Sequence, residues 1–203
     1  MDNLIFIFRK TQNPYLKEQG GSQYDLWGEL LIQYGEKILL DKEWEMNQWI
    51  LDFIEKKEFL LNQKFPFEYE NSISESRYNL FSEIDYENED SEQIYAEEDV
   101  LEEYFPKHYF KLTGIDSQSF YIGLNPSGEG EISYYVEAEN KYYKYEFDMP
   151  AFVEQADAAI IHYLKKFQLK LTSDEEYFKK FLGEEYAQYI GENARLDAMS
   201  FGF

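Results

Sequence analysis

The chain contains no cysteine and only two histidines among its 203 residues. Without cysteine it has no disulfide framework, zinc ribbon, iron–sulfur cluster or thiol nucleophile. The two histidines, His108 and His162, lack the spacing of a zinc-binding helix. We expect both to be structural, with His108 at the start of a strand and His162 beside the apolar stripe of a helix.

Long apolar runs are absent as well. No stretch approaches the roughly 18 apolar residues of a membrane span. The amino-terminal run at residues 4–8 is too short for a secretory signal, and it follows an acidic residue rather than basic ones. The sequence therefore favours a cytoplasmic protein with no membrane partner.

Motifs for cofactors and catalysis are also missing. Gly128-Glu129-Gly130 lacks the third glycine of a dinucleotide-binding loop, and neither a phosphate-binding Gly-x-x-x-x-Gly-Lys-Ser/Thr nor a nucleophile elbow Gly-x-Ser-x-Gly occurs. The run Asp85-x-Glu87-x-Glu89 superficially suggests calcium, but it lacks the glycine at loop position six, which leaves at most a weak, incidental cation site. The sequence predicts no catalytic, cofactor-binding or metal-binding residue and disfavours an enzyme.

Basic residues are scarce. Lysine and arginine number 19 against 41 aspartates and glutamates, which gives a formal charge of −22. Nucleic-acid binders and anionic-membrane binders need a basic surface, so both classes are disfavoured. The imbalance is local, because residues 65–104, here called the acidic segment, hold 14 acidic side chains and a single basic one, Arg77.

Tyrosines are interleaved with the carboxylates of the acidic segment, and tyrosine is enriched at recognition surfaces. Like charges this close repel one another, so the segment costs stability or stays loose. Two interpretations stay open: a solvated acidic stretch without a partner, and a charged binding face. For the second, the predicted partner-binding residues are Glu83, Asp85, Tyr86, Glu87, Glu89, Asp90, Tyr95, Glu97, Glu98, Asp99, Glu102 and Glu103.

Hydrophobic periodicity predicts a single α+β domain over residues 1–203, with the acidic segment as a mobile insertion. Residues 4–8 and 24–34 have strand patterns, and a turn at residues 34–37 leads into a third apolar run, which makes a hairpin. Between His108 and Phe147, four alternating runs joined by turn residues predict an antiparallel meander. The expected fold is an antiparallel sheet, built from the amino-terminal hairpin and this meander, packed against about three main helices.

The three helices are predicted from apolar stripes and capping residues. The first is expected at residues 42–62 with Asp41 as its N-cap, the second after Asp148, and the third from a capping box near Thr172. Within the acidic segment, periodicity is weak apart from a possible short helix near residues 92–104.

The pattern of the chain resembles the small immunity proteins of bacterial polymorphic and contact-dependent toxin systems. Many of these are cysteine-poor, acidic α+β domains. The segments that carry the resemblance are Tyr24-Asp25-Leu26-Trp27-Gly28-Glu29 with the tryptophan-bearing helix after it, Phe120-Tyr121-Ile122-Gly123, Gly130-Glu131-Ile132-Ser133-Tyr134, and Phe147 leading into Phe152-Val153.

The resemblance implies a cytoplasmic protein that binds one cognate toxin and blocks it. Many such toxins are nucleases, whose clefts must be basic to hold phosphates. An acidic, tyrosine-rich surface would complement such a cleft, and electrostatic steering would speed its capture. We therefore expect the partner to be a basic, nuclease-like protein toxin; the oligomeric state stays open.

Three other functions stay open on the sequence. The first is a nucleic-acid mimic that inhibits a DNA-binding enzyme, as phage anti-restriction proteins do. The second is an enzyme that uses carboxylates, with or without a divalent ion. The third is a structural or adaptor domain whose charge serves only solubility.

Overall fold

The computed structural model describes residues 2–15, 25–67, 69–83, 99, 102–169 and 172–192. The chain forms two compact units. The terminal unit contains Leu4–Ile54 and Glu154–Phe203, and the central unit contains Met1–Asn3 and Glu55–Val153. The fold class is α+β, as predicted, with five helices and two antiparallel sheets in the described ranges. The strands thus divide between two sheets and do not join in one.

The elements follow one another along the described chain in this order. The strands are β1 (Leu4–Lys10), β2 (Trp27–Tyr34), β3 (Lys37–Glu45), β4 (Tyr109–Phe110), β5 (Phe120–Leu124), β6 (Gly130–Val136) and β7 (Lys141–Phe147). The helices are α1 (Asn47–Asn62), α2 (Ile73–Glu83), α3 (residues 102–108), α4 (Met149–Leu164) and α5 (Thr172–Ala187). None of these helices is both long and apolar enough to cross a membrane.

The sheet of the terminal unit has the order β1-β2-β3, with both pairs antiparallel. Alternate side chains of β1 are buried, as the period of two requires for a strand with one covered face. Gly35, at φ 55°, makes the predicted turn between β2 and β3. In β2, Trp27 and Leu31 are buried although they alternate with the core residues, so both faces of this strand are covered.

Helix α1 begins at Asn47, so the predicted start at residue 42 is wrong. Residues 42–45 belong to β3 and pair with β2, and Asp41 is a strand residue instead of the N-cap. Trp44, expected on the helix, packs its ring against Trp27 across the strand pair, with 5.3 Å between the ring centroids. Cross-strand aromatic contacts of this kind stabilise a sheet, and here they outweigh the helical spacing of the apolar residues.

The second predicted helix is α4, and polar contacts fix its position on the sheet of the terminal unit. The side-chain amide of Gln155 accepts from the backbone N–H of Phe6 (3.0 Å) and donates to the Phe6 carbonyl (2.8 Å). The Tyr163 hydroxyl donates to the Leu26 carbonyl at 2.9 Å. The third predicted helix, α5, begins at Thr172 as expected, and Gly183 interrupts it with a φ of 78°.

The central unit contains the predicted meander, with the order β4-β5-β6-β7 and every pair antiparallel. Strand β4 has only two residues, and His108, expected to begin it, is the last residue of α3. Of the range 92–104, where a short helix is expected, residues 99 and 102–104 are helical, and the rest lies outside the described residues.

Helix α2 has no counterpart in the sequence prediction. Its buried residues include Ile73, Ser74 and Ser76, and Leu80 packs against the same core cluster, so the covered face mixes a few apolar side chains with small hydroxyl side chains. A face of that composition gives almost no apolar stripe, and serine is a weak helix former. The helix packs on β5 and β6, and tertiary contacts supply what local propensity lacks.

The cap of α4 gives a test of the fold. The Asp148 carboxylate accepts a hydrogen bond from the backbone N–H of Ala151 at 2.9 Å, as an N-cap does. We expect Asp148→Ala to lower the free energy of unfolding by about 1 kcal/mol, measured by urea denaturation. Asp148→Asn, which keeps the accepting oxygen, should lose only a few tenths of this, and an equal loss in both variants would contradict the capping role.

Candidate functional site

A buried carboxylate fixes the start of α2 on the sheet of the central unit, here called the second sheet. Glu131, in β6, is 0% exposed, and its two oxygens accept from the Ile73 backbone N–H (2.7 Å) and the Tyr69 hydroxyl (2.5 Å). Its neighbour on the strand, Ser133, accepts from the Ser74 backbone N–H at 3.1 Å. The first N–H groups of a helix have no acceptor within the helix. In α2, the N–H groups of Ile73 and Ser74 find their acceptors on β6, and these two hydrogen bonds attach the helix to the strand.

Burial raises the pKa of Glu131, and the hydrogen bonds from Tyr69, Ile73 and Ser133 offset part of that increase. The positive end of the helix dipole of α2 lies at the same place and favours a carboxylate there. The same environment raises the pKa of Tyr69, chiefly by burial and then by the bond to Glu131. The Tyr69 hydroxyl also accepts from Lys144 Nζ at 3.1 Å, which continues the network to the surface.

Beside α2 lies an open groove of about 960 Å³. It is formed by residues of α2, α3 and the sheet of the central unit with its connecting turns, so every lining residue belongs to the central unit. These residues are Ser74, Glu75, Arg77, Tyr78, Glu102, Phe105, Pro106, Tyr109, Ser119, Tyr121, Tyr135, Asn140 and Tyr142. Six of these thirteen residues are aromatic, and the lining also contains two carboxylates, those of Glu75 and Glu102.

One part of the aromatic lining holds a cation from the protein itself. The rings of Phe105 and Tyr109 pack on Tyr121, with centroid separations of 5.7 and 5.4 Å. The Arg77 guanidinium lies over Phe105 at 5.7 Å and over Tyr121 at 5.5 Å. Burial raises the pKa of Tyr121 to about 12, so its hydroxyl is neutral at physiological pH. The contacts are of the cation–π type, which is favourable when the cation lies over the ring face.

The other part of the lining is a cluster of three tyrosines, Tyr78, Tyr135 and Tyr142. Tyr135 and Tyr142 face each other across β6 and β7 with centroids 4.8 Å apart, and Tyr78 of α2 lies 6.4 Å from Tyr142. Tyr78 is 60% exposed, which is unusual for so large a ring. Exposed aromatic side chains that line a groove are typical of recognition surfaces.

Of the residues predicted to bind a partner, the structure describes four. Glu102 lines the groove, Glu103 is exposed on α3 and pairs with Lys107 (3.1 Å), and Asp99 is exposed. Glu83 is the last residue of α2. The others lie outside the described residues: Asp85, Tyr86, Glu87, Glu89, Asp90, Tyr95, Glu97 and Glu98.

The sequence predicts no site at the groove tyrosines. Tyr78 is one of the tyrosines of the acidic segment, and Tyr135 and Tyr142 have no predicted role. The predicted meander places these two residues on or beside neighbouring strands, but their direct pairing depends on the turn over residues 137–140, which the structure shows to be longer than the predicted turn at residues 139 and 140. Their partnership with Tyr78 depends on α2, which periodicity does not reveal.

His108 lies in the core of the central unit and is fully buried. Its ring stacks on Tyr104, with 3.9 Å between the centroids, and its Nδ1 lies 2.9 Å from the Tyr104 carbonyl, a geometry in which Nδ1–H donates. Burial lowers the pKa of His108 to about 4; the carbonyls of Tyr104 and Phe59 act in the opposite direction, and Lys107 and Lys56 lower it further. The imidazole is therefore neutral at physiological pH.

Metal-binding geometry is lacking in the part of the chain that the structure describes, where no three histidine, aspartate or glutamate side chains converge. The run Asp85-x-Glu87-x-Glu89 lies outside that part. Comparison with known proteins finds no matching family, no matching curated protein and no matching solved structure.

The role of Glu131 can be tested with two substitutions. Glu131→Leu leaves the Ile73 N–H and the Tyr69 O–H without acceptors, and we expect the free energy of unfolding to fall by about 2–4 kcal/mol. Glu131→Gln keeps one accepting oxygen and removes a buried charge, so it should cost no more than about 1 kcal/mol. Urea denaturation gives both values, and a Gln variant as unstable as the Leu variant would show that the charge itself is required.

The buried imidazole predicts a dependence of stability on pH. Unfolded His108 binds a proton near pH 6.5 and folded His108 only near pH 4, so between these values the unfolded state binds more protons and stability falls as the pH falls. By pH 4 this contribution has lost roughly 3 kcal/mol relative to pH 7. Urea denaturation of the wild type and His108→Gln at both pH values isolates it, because the other titrating groups are shared. If the difference between the two proteins does not change with pH, the prediction fails.

Proposed function

We propose that the protein is an immunity-type inhibitor that binds and neutralises a basic, nuclease-like protein toxin. The observation that carries the proposal is the groove of the central unit, where the exposed ring of Tyr78 lies beside the half-buried rings of Tyr135 and Tyr142, and the carboxylates of Glu75 and Glu102 belong to the same lining. Contact of a large aromatic ring with water is unfavourable, so a partner that covers the rings of the groove gains binding free energy from removing their surface from water.

The charge of the chain favours a cationic partner. Glu75 and Glu102 border the groove, and Glu102 belongs to the acidic segment, which holds 14 acidic side chains and one basic side chain. A surface of one sign attracts a partner of the other sign and speeds its encounter by about 10–1,000-fold at low salt. A protein that binds phosphates in a cleft has such a surface, so a nuclease-like enzyme fits the charge.

Tyrosine suits a surface that must bind one partner tightly. Its ring gives a large contact area, and it loses little conformational entropy on binding because it has only two side-chain torsions. In the groove, the Tyr135 hydroxyl already donates to Asn140 Oδ1 at 2.7 Å, so part of the ordering is complete before binding. This agrees with the function of an inhibitor, which has to hold its target for long times.

The first experiment identifies the partner. The tagged full-length chain is used to recover proteins from its native cell, with the product of the adjacent gene tested first, and the recovered protein is then purified and its binding and activity measured directly. We expect a basic protein whose enzymatic activity is lost at a one-to-one ratio. A partner that is itself a DNA-binding enzyme unrelated to a toxin would favour the nucleic-acid mimic instead.

The association rate of that complex should depend on the carboxylates of the acidic segment. Replacing six carboxylates of the acidic segment by their amides should slow association at least about tenfold at low salt and flatten its dependence on salt. The six residues are Glu87, Glu89, Asp90, Glu97, Glu98 and Asp99. Stopped-flow association rates at several salt concentrations measure both effects.

A matched control removes the same charge elsewhere. Six exposed carboxylates of the terminal unit are changed to amides, which gives both variants a net charge of −16 instead of −22. They are Glu36, Asp41, Glu154, Glu176, Glu184 and Glu185. The control should associate nearly as fast as the wild type. Equal slowing of the two variants would mean that only net charge matters, and the acidic segment would then not be the binding face.

A further inference from the structure

The tyrosine cluster of Tyr78, Tyr135 and Tyr142 has the geometry of a small receptor for a flat group. The Tyr142 ring is inclined by 44° to Tyr135 and by 50° to Tyr78, so the three rings do not stack into a closed pile. Inclined rings present both faces and edges to the groove. A ligand group that enters between them can contact more than one ring face at once.

The cluster is held in place from two sides. The register of β6 and β7 sets Tyr135 opposite Tyr142, and the bond from the Tyr135 hydroxyl to Asn140 fixes the far end of its ring. Asn140 itself has a left-handed backbone, at φ 48°, where its N–H donates to the Glu137 carbonyl and closes the turn between the strands. The cluster is thus largely formed before a ligand arrives.

A carboxylate lies beside the rings. Glu75 precedes Tyr78 by three residues on α2, so the two share a helix face, and both line the groove. The pKa of Tyr142 is raised, chiefly by partial burial and then by the neighbouring Tyr135 and Tyr78 and the charge of Glu75, while Arg77 lowers it slightly. The Glu75 carboxylate is thus close enough to act on Tyr142. A negative charge next to electron-rich ring faces is an environment for a cation.

The groove already contains one example of this chemistry. The Arg77 guanidinium lies over Phe105 and Tyr121, and the other cation–π contacts of the described part of this unit involve Phe59, Phe110, Tyr143 and Tyr69. None of these cation–π contacts between described residues involves a ring of the tyrosine cluster, so a cation from a partner can occupy its ring faces. The protein's own arginine therefore shows the type of group that this lining accepts.

We propose that Tyr78, Tyr135 and Tyr142, with Glu75, form a subsite for an arginine side chain of the basic protein partner. The inference rests on the proposed function and adds to it the chemical group that is recognised. Arginine fits better than lysine because its planar guanidinium is weakly hydrated, stacks on aromatic rings and can donate two parallel hydrogen bonds to one carboxylate. The ammonium of lysine is a compact, strongly hydrated charge that offers only the Coulombic part.

The experiment uses the full-length protein and peptides as probes. A short peptide in which arginine alternates with glycine is titrated by isothermal calorimetry, together with versions that carry lysine or citrulline in place of arginine. We expect the arginine peptide to bind more tightly than the lysine peptide, and the citrulline peptide to bind least. Equal affinity for arginine and lysine peptides overturns the assignment of an arginine subsite.

Variants place the effect at the cluster. Tyr142→Leu should weaken arginine-peptide binding by roughly 3- to 30-fold, whereas Tyr142→Phe keeps the ring and should bind nearly as the wild type does. Glu75→Gln should weaken binding and reduce the preference for arginine over lysine. Tyr143→Leu is the matched control, because Tyr143 is the next residue of β7 and its side chain points to the opposite side of the sheet. Circular dichroism melting curves establish that each variant is folded.

The outcomes separate this inference from the proposed function. If the arginine peptide binds in a salt-dependent manner but Tyr142→Leu and Tyr143→Leu behave alike, the subsite is wrong and the acidic surface remains a binding face. If no cationic peptide binds to the wild type at low salt, both the subsite and the proposal of a basic partner are wrong. A loss confined to Tyr142→Leu and Glu75→Gln, with Tyr142→Phe unaffected, supports the subsite.

Discussion

The attachment of α2 to the second sheet depends on one buried carboxylate. Glu131 accepts from the backbone of Ile73 and from the Tyr69 hydroxyl, and the cost of its burial is offset by these donors and by the dipole of the helix that begins there. The first turns of α2 then carry Glu75 and Tyr78 into the groove. A buried polar group thus determines where the α2 side of the groove lies, because this helix has too thin an apolar stripe to define its own position.

The same dependence explains which parts of the fold could be predicted from the sequence. Strands β5, β6 and β7 are short runs rich in aromatic and β-branched residues and are joined by turn residues, so their existence and antiparallel order follow from local patterns. Helix α2 does not follow, because its buried residues include two serines, and the polar contacts that attach it to β6 are made by the backbone N–H groups of Ile73 and Ser74. The start of α1 was misplaced for a related reason: the spacing of Trp44 and Trp49 satisfies a helix, and only the pairing of β3 with β2 assigns Trp44 to a strand.

The groove was less predictable than the fold. Its tyrosines come from α2, β4, β5, β6 and β7, and they converge only once those elements are packed. Charge and the tyrosines interleaved with it are visible in the sequence, because 13 of the 22 excess negative charges lie in 40 residues and need no structure to be counted. The predicted site therefore consists of carboxylates with two tyrosines, Tyr86 and Tyr95, while the structure adds a different aromatic surface next to Glu102.

These two features act over different distances, which gives them different roles in the proposed complex. At physiological salt, the attraction between charged surfaces is screened beyond about 8 Å. The acidic segment therefore attracts a partner before contact and chiefly sets the rate of association. Ring contacts act only within about 6 Å and exclude water, so the tyrosine cluster acts after contact and chiefly sets the rate of dissociation. A chain that must capture a toxin quickly and then hold it needs both. The stability cost of crowded carboxylates and the solubility cost of exposed tyrosines are then explained by the same binding event.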